Sequence, residues 1–152
     1  MPRIQVPIEY ISKLSNQEQL LELNNTVRCR IAPSTIHGVG VFALRSISKG
    51  ERLYCTPNMI PKFYNIPFGS LSKLLPEVRE LVLSRWASVI NGSIFCSPND
   101  DAHLLMFVNH SYSPNYNVVS DTALRDIQAG EEILEDYSLM ENAEKVYKFL
   151  KK

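Results

Sequence analysis

Phe107–Asn115 reads FVNHSYSPN and Glu131–Tyr137 reads EEILEDY, and the fold turns on these two stretches. The first places Asn109, His110, Ser111, Ser113 and Asn115 around a single proline. Each of those side chains bonds readily to nearby backbone, so the peptide favours turns over a ladder. It follows an apolar run, Leu104–Val108, which predicts a buried strand. A polar turn delivered by a buried strand is a natural place for a binding site. Taken in isolation, the same residues read as an ordinary surface loop. The second stretch reads as a strand whose alternation puts Ile133, Glu135 and Tyr137 on one face. The competing expectation is that the strand twists before Tyr137. Glu135 would then lie in solvent or pair with a lysine of the C-terminal segment, because an unpaired buried carboxylate is expensive.

A third stretch, His37-Gly38-Val39-Gly40-Val41-Phe42-Ala43, precedes both. NHSYSPN resembles the Asn-His-Ser-Cys-x-Pro-Asn signature of SET-domain protein lysine methyltransferases. Gly130–Tyr137 resembles that family's Gly-Glu-Glu-Leu-x-x-Asp-Tyr, and Gly38-Val39-Gly40 its Gly-x-Gly. The three stand in the family's order and at its usual separations, over Arg30–Ser138. Any one of them is unspecific; the ordered set is specific.

The resemblance implies a β-rich α+β protein with the SET-domain fold: small antiparallel sheets and a C-terminal pseudo-knot, with a helical insertion and a C-terminal helix. It divides the chain into an N-terminal arm and short helix (1–26), the SET domain (27–138, with the helical insertion at 57–92) and the C-terminal helix (139–152). It implies methyl transfer from S-adenosyl-L-methionine to the ε-amine of a lysine in a protein or peptide. Main-chain groups of His37, Gly38, Val39 and Gly40 would line the cofactor pocket. Asn109 would bind the cofactor's amino-acid end and the His110 backbone its adenine. Tyr137 would be the catalytic residue, also touching the cofactor, its phenol beside the methyl and the amine. Tyr54, Tyr112 and Glu135 are the candidates for the substrate channel.

Four positions depart from the common pattern. Tyr112 replaces a cysteine, Met106 stands where arginine is frequent, and Thr56 falls where a tyrosine often follows, with Tyr54 a substitute on the same face. Glu135 replaces a frequent aromatic. The last two bear on how many methyls are added.

The chemistry itself asks for little machinery. Deprotonating a lysine of pKa near 10.4 at pH 7 costs roughly 4–5 kcal/mol. An apolar channel and an adjacent sulfonium both favour the neutral amine. Positioning and electrostatics can supply most of the rest.

The 152 residues suit one domain, 45% apolar and 21% charged, as in globular proteins. Sixteen basic residues balance sixteen acidic ones, which opposes a direct grip on nucleic acid. Cys29, Cys55 and Cys96 are odd in number and unclustered, which favours a reducing compartment and opposes structural zinc, so no metal is expected. The family's frequent cysteine-rich flanking modules are missing; the C-terminal helix would replace them as the lid, with a homodimer as another way to complete the site. Without an apolar run of about 18 residues or a signal-peptide layout, the reading is a soluble intracellular protein, cytoplasmic, or nuclear in a eukaryote, without membrane contact.

Along the chain, Met1–Tyr10 reads as an extended arm. Ser15-Asn16-Gln17-Glu18 is a capping box opening a helix over Asn16–Leu23, with Leu20, Leu21 and Leu23 for burial and Asn24-Asn25 as its stop. Val27–Ile31 reads as a strand. Pro76 opens a helix with Val78, Leu81, Val82, Trp86 and Val89 as one stripe. Asn91-Gly92 marks a turn, Ser93–Ser97 a strand, Pro98–Asp101 another turn, and Met140–Leu150 a terminal helix. Ala43–Leu53 recurs 80 residues later as Ala123–Ile133, predicting two similar β corners in different parts of the domain, with Gly50 and Gly130 at positive φ. The rival reading from another class is a SET-fold module that binds a partner without turnover. A β-rich nucleic-acid binder is opposed by the charge balance and the lack of aromatic–basic interleaving.

Overall fold

The computed structural model describes residues 11–55, 64–83, 88–90, 92–96, 104–139, 143 and 147–150. Contacts divide the chain into two units, Met1–Arg28 with Pro57–His103 and Cys29–Thr56 with Leu104–Lys152.

In the first unit, α1 spans Asn16–Thr26 and opens on the expected capping box. Ser15 Oγ accepts from Glu18 N at 3.3 Å while Glu18 Oε2 accepts from Ser15 N at 2.8 Å. The helix runs through the asparagines expected to stop it. Asn24 spends its amide on Lys73 O and Leu75 N, partners outside the helix, so it does not compete with the helix backbone. Leu20 and Leu23 are buried as expected, but Leu21 is 60% exposed. Gln19 is buried instead, giving Nε2 to Leu14 O and taking Asn65 N on its carbonyl.

The described part of residues 57–92, expected as a helical insertion, holds strands as well as helix. β3 (Tyr64–Pro67), β4 (Ser88–Ile90) and β5 (Ser93–Cys96) form an antiparallel sheet in the order β3-β5-β4. The helix opened by Pro76, α2, stops at Leu81. Val78 and Val82 are fully buried, whereas Val89 belongs to β4, where its neighbours come from β5 rather than from a helical turn. Trp86 and the Pro98–Asp101 turn lie outside the described residues, as does the arm Met1–Tyr10.

In the second unit, β1 (Cys29–Pro33) is set two residues later than Val27–Ile31. It pairs with β2 (Val39–Ala43), from Cys29 opposite Ala43 to Pro33 opposite Val39. Leu104–Phe107 is a turn of 3-10 helix rather than a strand, leaving Met106 exposed. The strand that follows, β6, is only Asn109–His110. β7 (Tyr116–Asn117) and β8 (Thr122–Ala123) form a hairpin, and β9 is Glu132–Glu135. The sheet order is β1-β2-β9-β6, with β6 parallel to β9. The described part of the C-terminal segment has Ala143 helical, with Tyr147 N bonded to Ala143 O, and ends in a 3-10 turn at Lys148–Leu150.

The two repeated corners are not in different parts of the domain: they pair with each other. Ile47 and Ile127 exchange both backbone bonds, at 2.9 and 2.8 Å. Ala43 N bonds Glu131 O while Ala123 N bonds Glu51 O, both at 2.9 Å. Gly50 N bonds Ala123 O while Gly130 N bonds Ala43 O, both at 2.8 Å. Each of these backbone bonds has a mate under the 80-residue shift, so the corners are related by a local two-fold. Ile47 and Ile127 face the core with Val41, Leu53, Val108, Tyr116 and Ile133.

Candidate functional site

Asn109 is where the three signature stretches meet. Its Nδ2 donates to Val39 O (3.0 Å), His37 O (3.3 Å) and Glu132 Oε1 (2.8 Å). Those acceptors fix which way the amide faces: the nitrogen is turned to them and Oδ1 away. Glu132 also accepts from Ser34 Oγ at 2.8 and 3.0 Å, and Ser34 Oγ accepts from Ile36 N at 2.9 Å. A Cβ added to Gly40 would sit 2.1 Å from Glu132 Oε1, so this position is glycine because the carboxylate occupies the space. Gly38 has φ +48° with open space on its Cβ side. Sequence reasoning missed Glu132 and Ser34. Glu132 stood inside the second signature, but nothing in spacing alone said which backbone its carboxylate would lock.

The peptide 109–115 embraces β9. In the parallel ladder Asn109 lies opposite Leu134 and His110 opposite Glu135. Ser111 N donates to Glu135 O at 2.9 Å. Asn115, fully buried, donates its own N–H to Leu134 O (3.1 Å), accepts Leu134 N on Oδ1 (2.8 Å) and gives Nδ2 to Glu132 O (2.8 Å). The asparagine expected to make a turn therefore holds the strand that ends at the tyrosine.

Tyr137 lies just beyond β9, at the start of a 3-10 turn. Its backbone N donates to His110 Nδ1 at 3.0 Å and its phenol donates to Val108 O. Since Nδ1 accepts, the neutral His110 ring carries its proton on Nε2, and that atom is buried without a partner. Asp136 Oδ1 comes within 3.8 Å of Nδ1, but an atom already accepting a bond offers it no proton, so this is not an ion pair. Burial first, then the charges of Glu135 and Tyr147, push the Tyr137 phenol up to about 12.

Aromatic rings gather around this point. Tyr147 lies 4.7 Å from the Tyr137 ring and His110 5.3 Å. Tyr112 meets His110 edge-on at 4.5 Å, and Phe149 lies 5.5 Å from His110. Tyr147 and Phe149 were not among the sequence candidates; their signal was only an aromatic pair in a terminal segment. Tyr54 has φ +60°, and the Arg52 guanidinium lies 4.9 Å above its ring.

Glu135 is not in solvent. It is 5% exposed, on the same face of β9 as Ile133, and burial lifts its carboxyl from the ordinary 4.5 to about 7. The twist that would have exposed it comes only after Glu135, because Ser111 holds its carbonyl in the ladder. A second buried carboxylate, Asp121, was not anticipated. It accepts from Arg52 Nε and Cys55 N, each at 3.0 Å, and from the Tyr116 phenol at 2.9 Å. Burial and the charged surroundings drive the Tyr116 phenol far above its ordinary value.

Among the described residues there is no group of three or more His, Cys, Asp or Glu side chains that could hold a metal. Nor is any described helix long and apolar enough to cross a membrane.

This fold and these motifs define a class. The SET domain family model matches residues 38–138, and the chain belongs to the SET-domain family. Solved structures that the chain is similar to include one described as a Plasmodium falciparum putative histone methyltransferase, 21% identical, with 74% of this chain and 95% of that chain covered and a TM-score of 0.36. Another is the Chaetomium thermophilum Polycomb Repressive Complex 2 bound to GSK126, 20% identical over 80% of this chain, TM-score 0.40. The present chain spans 17% of that longer one. No curated protein sequence gives a significant match.

Proposed function

We propose that the protein transfers a methyl group from S-adenosylmethionine to the ε-amine of a lysine in a protein or peptide. The observation that carries this reading is the meeting of His37–Val39, Asn109 and the Glu132–Tyr137 stretch through the Asn109 amide.

The residues present fit the cofactor. Asn109, its nitrogen already committed, presents a carbonyl oxygen that suits the α-ammonium of the cofactor rather than its carboxylate. Gly38 leaves room for close backbone approach. His110 Nε2 offers a buried N–H that awaits an acceptor. S-adenosylmethionine, when bound, supplies an electrophilic methyl on a sulfonium, ready for attack by a neutral amine.

Tyr137 does not act as a base on this reading. A phenol held near 12 stays protonated at neutral pH, and its proton is given to the Val108 carbonyl. The lone pairs of the phenol oxygen then remain to orient the amine and the methyl by accepting weak bonds. Tyr147 and Phe149, tilted against Tyr137 and His110, would narrow the access of water to the same point. The C-terminal segment thereby does the covering that zinc modules do elsewhere in the family.

The test is mass spectrometry of a cell lysate incubated with the protein and isotopically labelled S-adenosylmethionine, run beside Tyr137→Phe. Labelled lysines are expected with the wild type. The variant is expected to keep cofactor binding by calorimetry while losing about 10²–10³ in transfer rate, on the order of what one preorganised polar group is worth in a transition state. Wild-type turnover by the variant would remove Tyr137 from catalysis. Cofactor binding without transfer by either protein would favour a module that binds a partner without turnover.

A further inference from the structure

We propose that Glu135 is the proton acceptor of this site: its carboxylate receives the ammonium of the incoming lysine and takes one proton from it. The inference rests on the methyl-transfer reading and adds to it a group with its own task.

The two buried carboxylates of this unit are treated differently by the fold. Asp121 accepts from Arg52 Nε, Cys55 N and the Tyr116 phenol, and is thereby a structural hub. Glu135 is equally buried, yet its Oε2 has no partner. Leaving a buried polar atom unsatisfied costs about 1–3 kcal/mol, more when it is charged. A buried acceptor left open in a native chain calls for an explanation, and a catalytic role or a bound ion is among the few that serve.

Its place in the fold says which ligand. Glu135 ends the row begun by Ile133, a member of the apolar core. It lies opposite His110 in the ladder and two residues before Tyr137, whose phenol bonds the carbonyl of Val108, another core member. The titratable groups that feel its charge are the Tyr137 phenol, the Cys55 thiol and the Tyr116 phenol; each is pushed upward and is neutral at pH 7. Around them, Asp121 is matched by Arg52, His110 has Nδ1 filled by the Tyr137 N–H, and Tyr147 presents a ring to Tyr137. Among the described residues none lowers the Glu135 carboxyl, which burial alone sets near 7. An acceptor oxygen in apolar and aromatic walls suits a cationic N–H donor on an alkyl stem, which is the end of a lysine.

Once the ammonium is enclosed, the ion pair is poorly solvated and the neutral acid–amine pair gains on it. One N–H bond breaks and one O–H bond forms. Ammonium and carboxylate become amine and carboxylic acid, with charge conserved, and the acid returns its proton to water when the site reopens. A base whose pKa lies near the working pH is the best compromise for this job.

Two measurements test it. The first is NMR of protein labelled with ¹³C-carboxyl glutamate, the Glu135 signal being the one lost in Glu135→Gln. The probe is n-butylammonium chloride, with n-butanol as the neutral control. The cation should lower the titration midpoint of Glu135 by about one pH unit or more, and n-butanol should leave it unmoved. No response to the cation overturns the proposal, and wild-type protein alone decides it. The second is the pH profile of transfer to whichever protein the lysate experiment labels. Wild-type kcat/KM should level off above neutrality. Glu135→Gln should bind S-adenosylmethionine as the wild type does, fall about 100-fold at pH 7, and climb with each pH unit as free amine appears. Coincident profiles overturn the proposal. Absence of transfer by the wild type at every pH would instead overturn the methyl-transfer reading, and the proton transfer with it, while the NMR response still reports whether Glu135 holds an ammonium.

Discussion

Ala43–Leu53 and Ala123–Ile133 are nearly the same structure, and they diverge where the candidate site begins. In both, a serine or glutamine backbone N–H is taken by a glutamate side chain three residues on: Ser48 N by Glu51 Oε2 at 2.8 Å, and Gln128 N by Glu131 Oε2 at 3.0 Å. Both turns close with an N–H to the carbonyl three residues back, Glu51 to Ser48 and Glu131 to Gln128, each at 3.0 Å. After the shared pattern ends they part. Tyr54 turns away at φ +60°, and Cys55 enters the core as a neutral thiol. Its counterpart Leu134 stays extended because Asn115 holds both its N–H and its carbonyl. The strand therefore continues through Glu135, the counterpart of Cys55, and delivers Tyr137. Isoleucine, glycine and glutamate build the frame twice; a bonded asparagine from elsewhere turns one copy into a site.

The largest effect bears on the frame. Ile47→Ala and Ile127→Ala each empty a fully buried place at the two-fold, and each should cost about 2–5 kcal/mol in urea unfolding. Because the two isoleucines pair directly and share one core cluster, the double variant should depart from additivity by more than about 0.5 kcal/mol. A loss at one position less than half that at the other, with additive behaviour, would mean that the symmetry of the bonds is not a symmetry of the energetics.

The two corners also show what was readable in advance. The repeat was visible in the sequence, as were the glycines with positive φ, now found at +83° and +81°. That the copies pair with each other was not, since a two-fold leaves no trace in the spacing of its halves. Asn109 and Tyr137 were legible because three motifs pointed at them. Glu132 was not, because its role depends on a missing Cβ at Gly40, almost a hundred residues earlier. The burial of Glu135 was misjudged by weighing an exposed carboxylate against a buried one without a ligand in the balance. Leu104–Phe107 looked like a strand because a short apolar run carries no period that separates strand from turn.

A smaller effect separates the site from the frame through pH. The Glu135 carboxyl is raised from 4.5 to about 7 on folding, so the native state holds its proton where the unfolded chain has lost it. Stability is therefore lost as pH rises from about 4.5 to about 7, and the loss is complete above that. Glu135→Gln removes this penalty. Relative to the wild type it should gain up to about 3 kcal/mol between pH 4.5 and pH 8, measured by chemical unfolding. At the equivalent position, Cys55→Ala should lose stability by packing, with no pH dependence over the same range, because the Cys55 thiol is pushed upward and stays neutral. A flat Glu135→Gln difference would mean that the carboxyl finds its proton balance unchanged on folding.

The smallest effect concerns the two turns. Gly50 and Gly130 each occupy the third position of a turn at φ near +80°, where type II geometry calls for a residue without a Cβ. A Cβ would meet nothing within 4 Å at either one. The cost of Gly50→Ala and of Gly130→Ala is then conformational alone, about 1–2 kcal/mol, and should be equal in the two. Equality is not trivial, because the second turn also bears on the site. Glu131 accepts from Asn115 Nδ2, which ties that turn to the residue that holds β9. If backbone strain decides, the two variants melt together and methyl transfer survives both. If the Glu131 ties decide, Gly130→Ala melts lower and slackens the hold on Leu134, and transfer falls in that variant only. The second outcome would move the boundary between frame and site from Ile133 back to the turn.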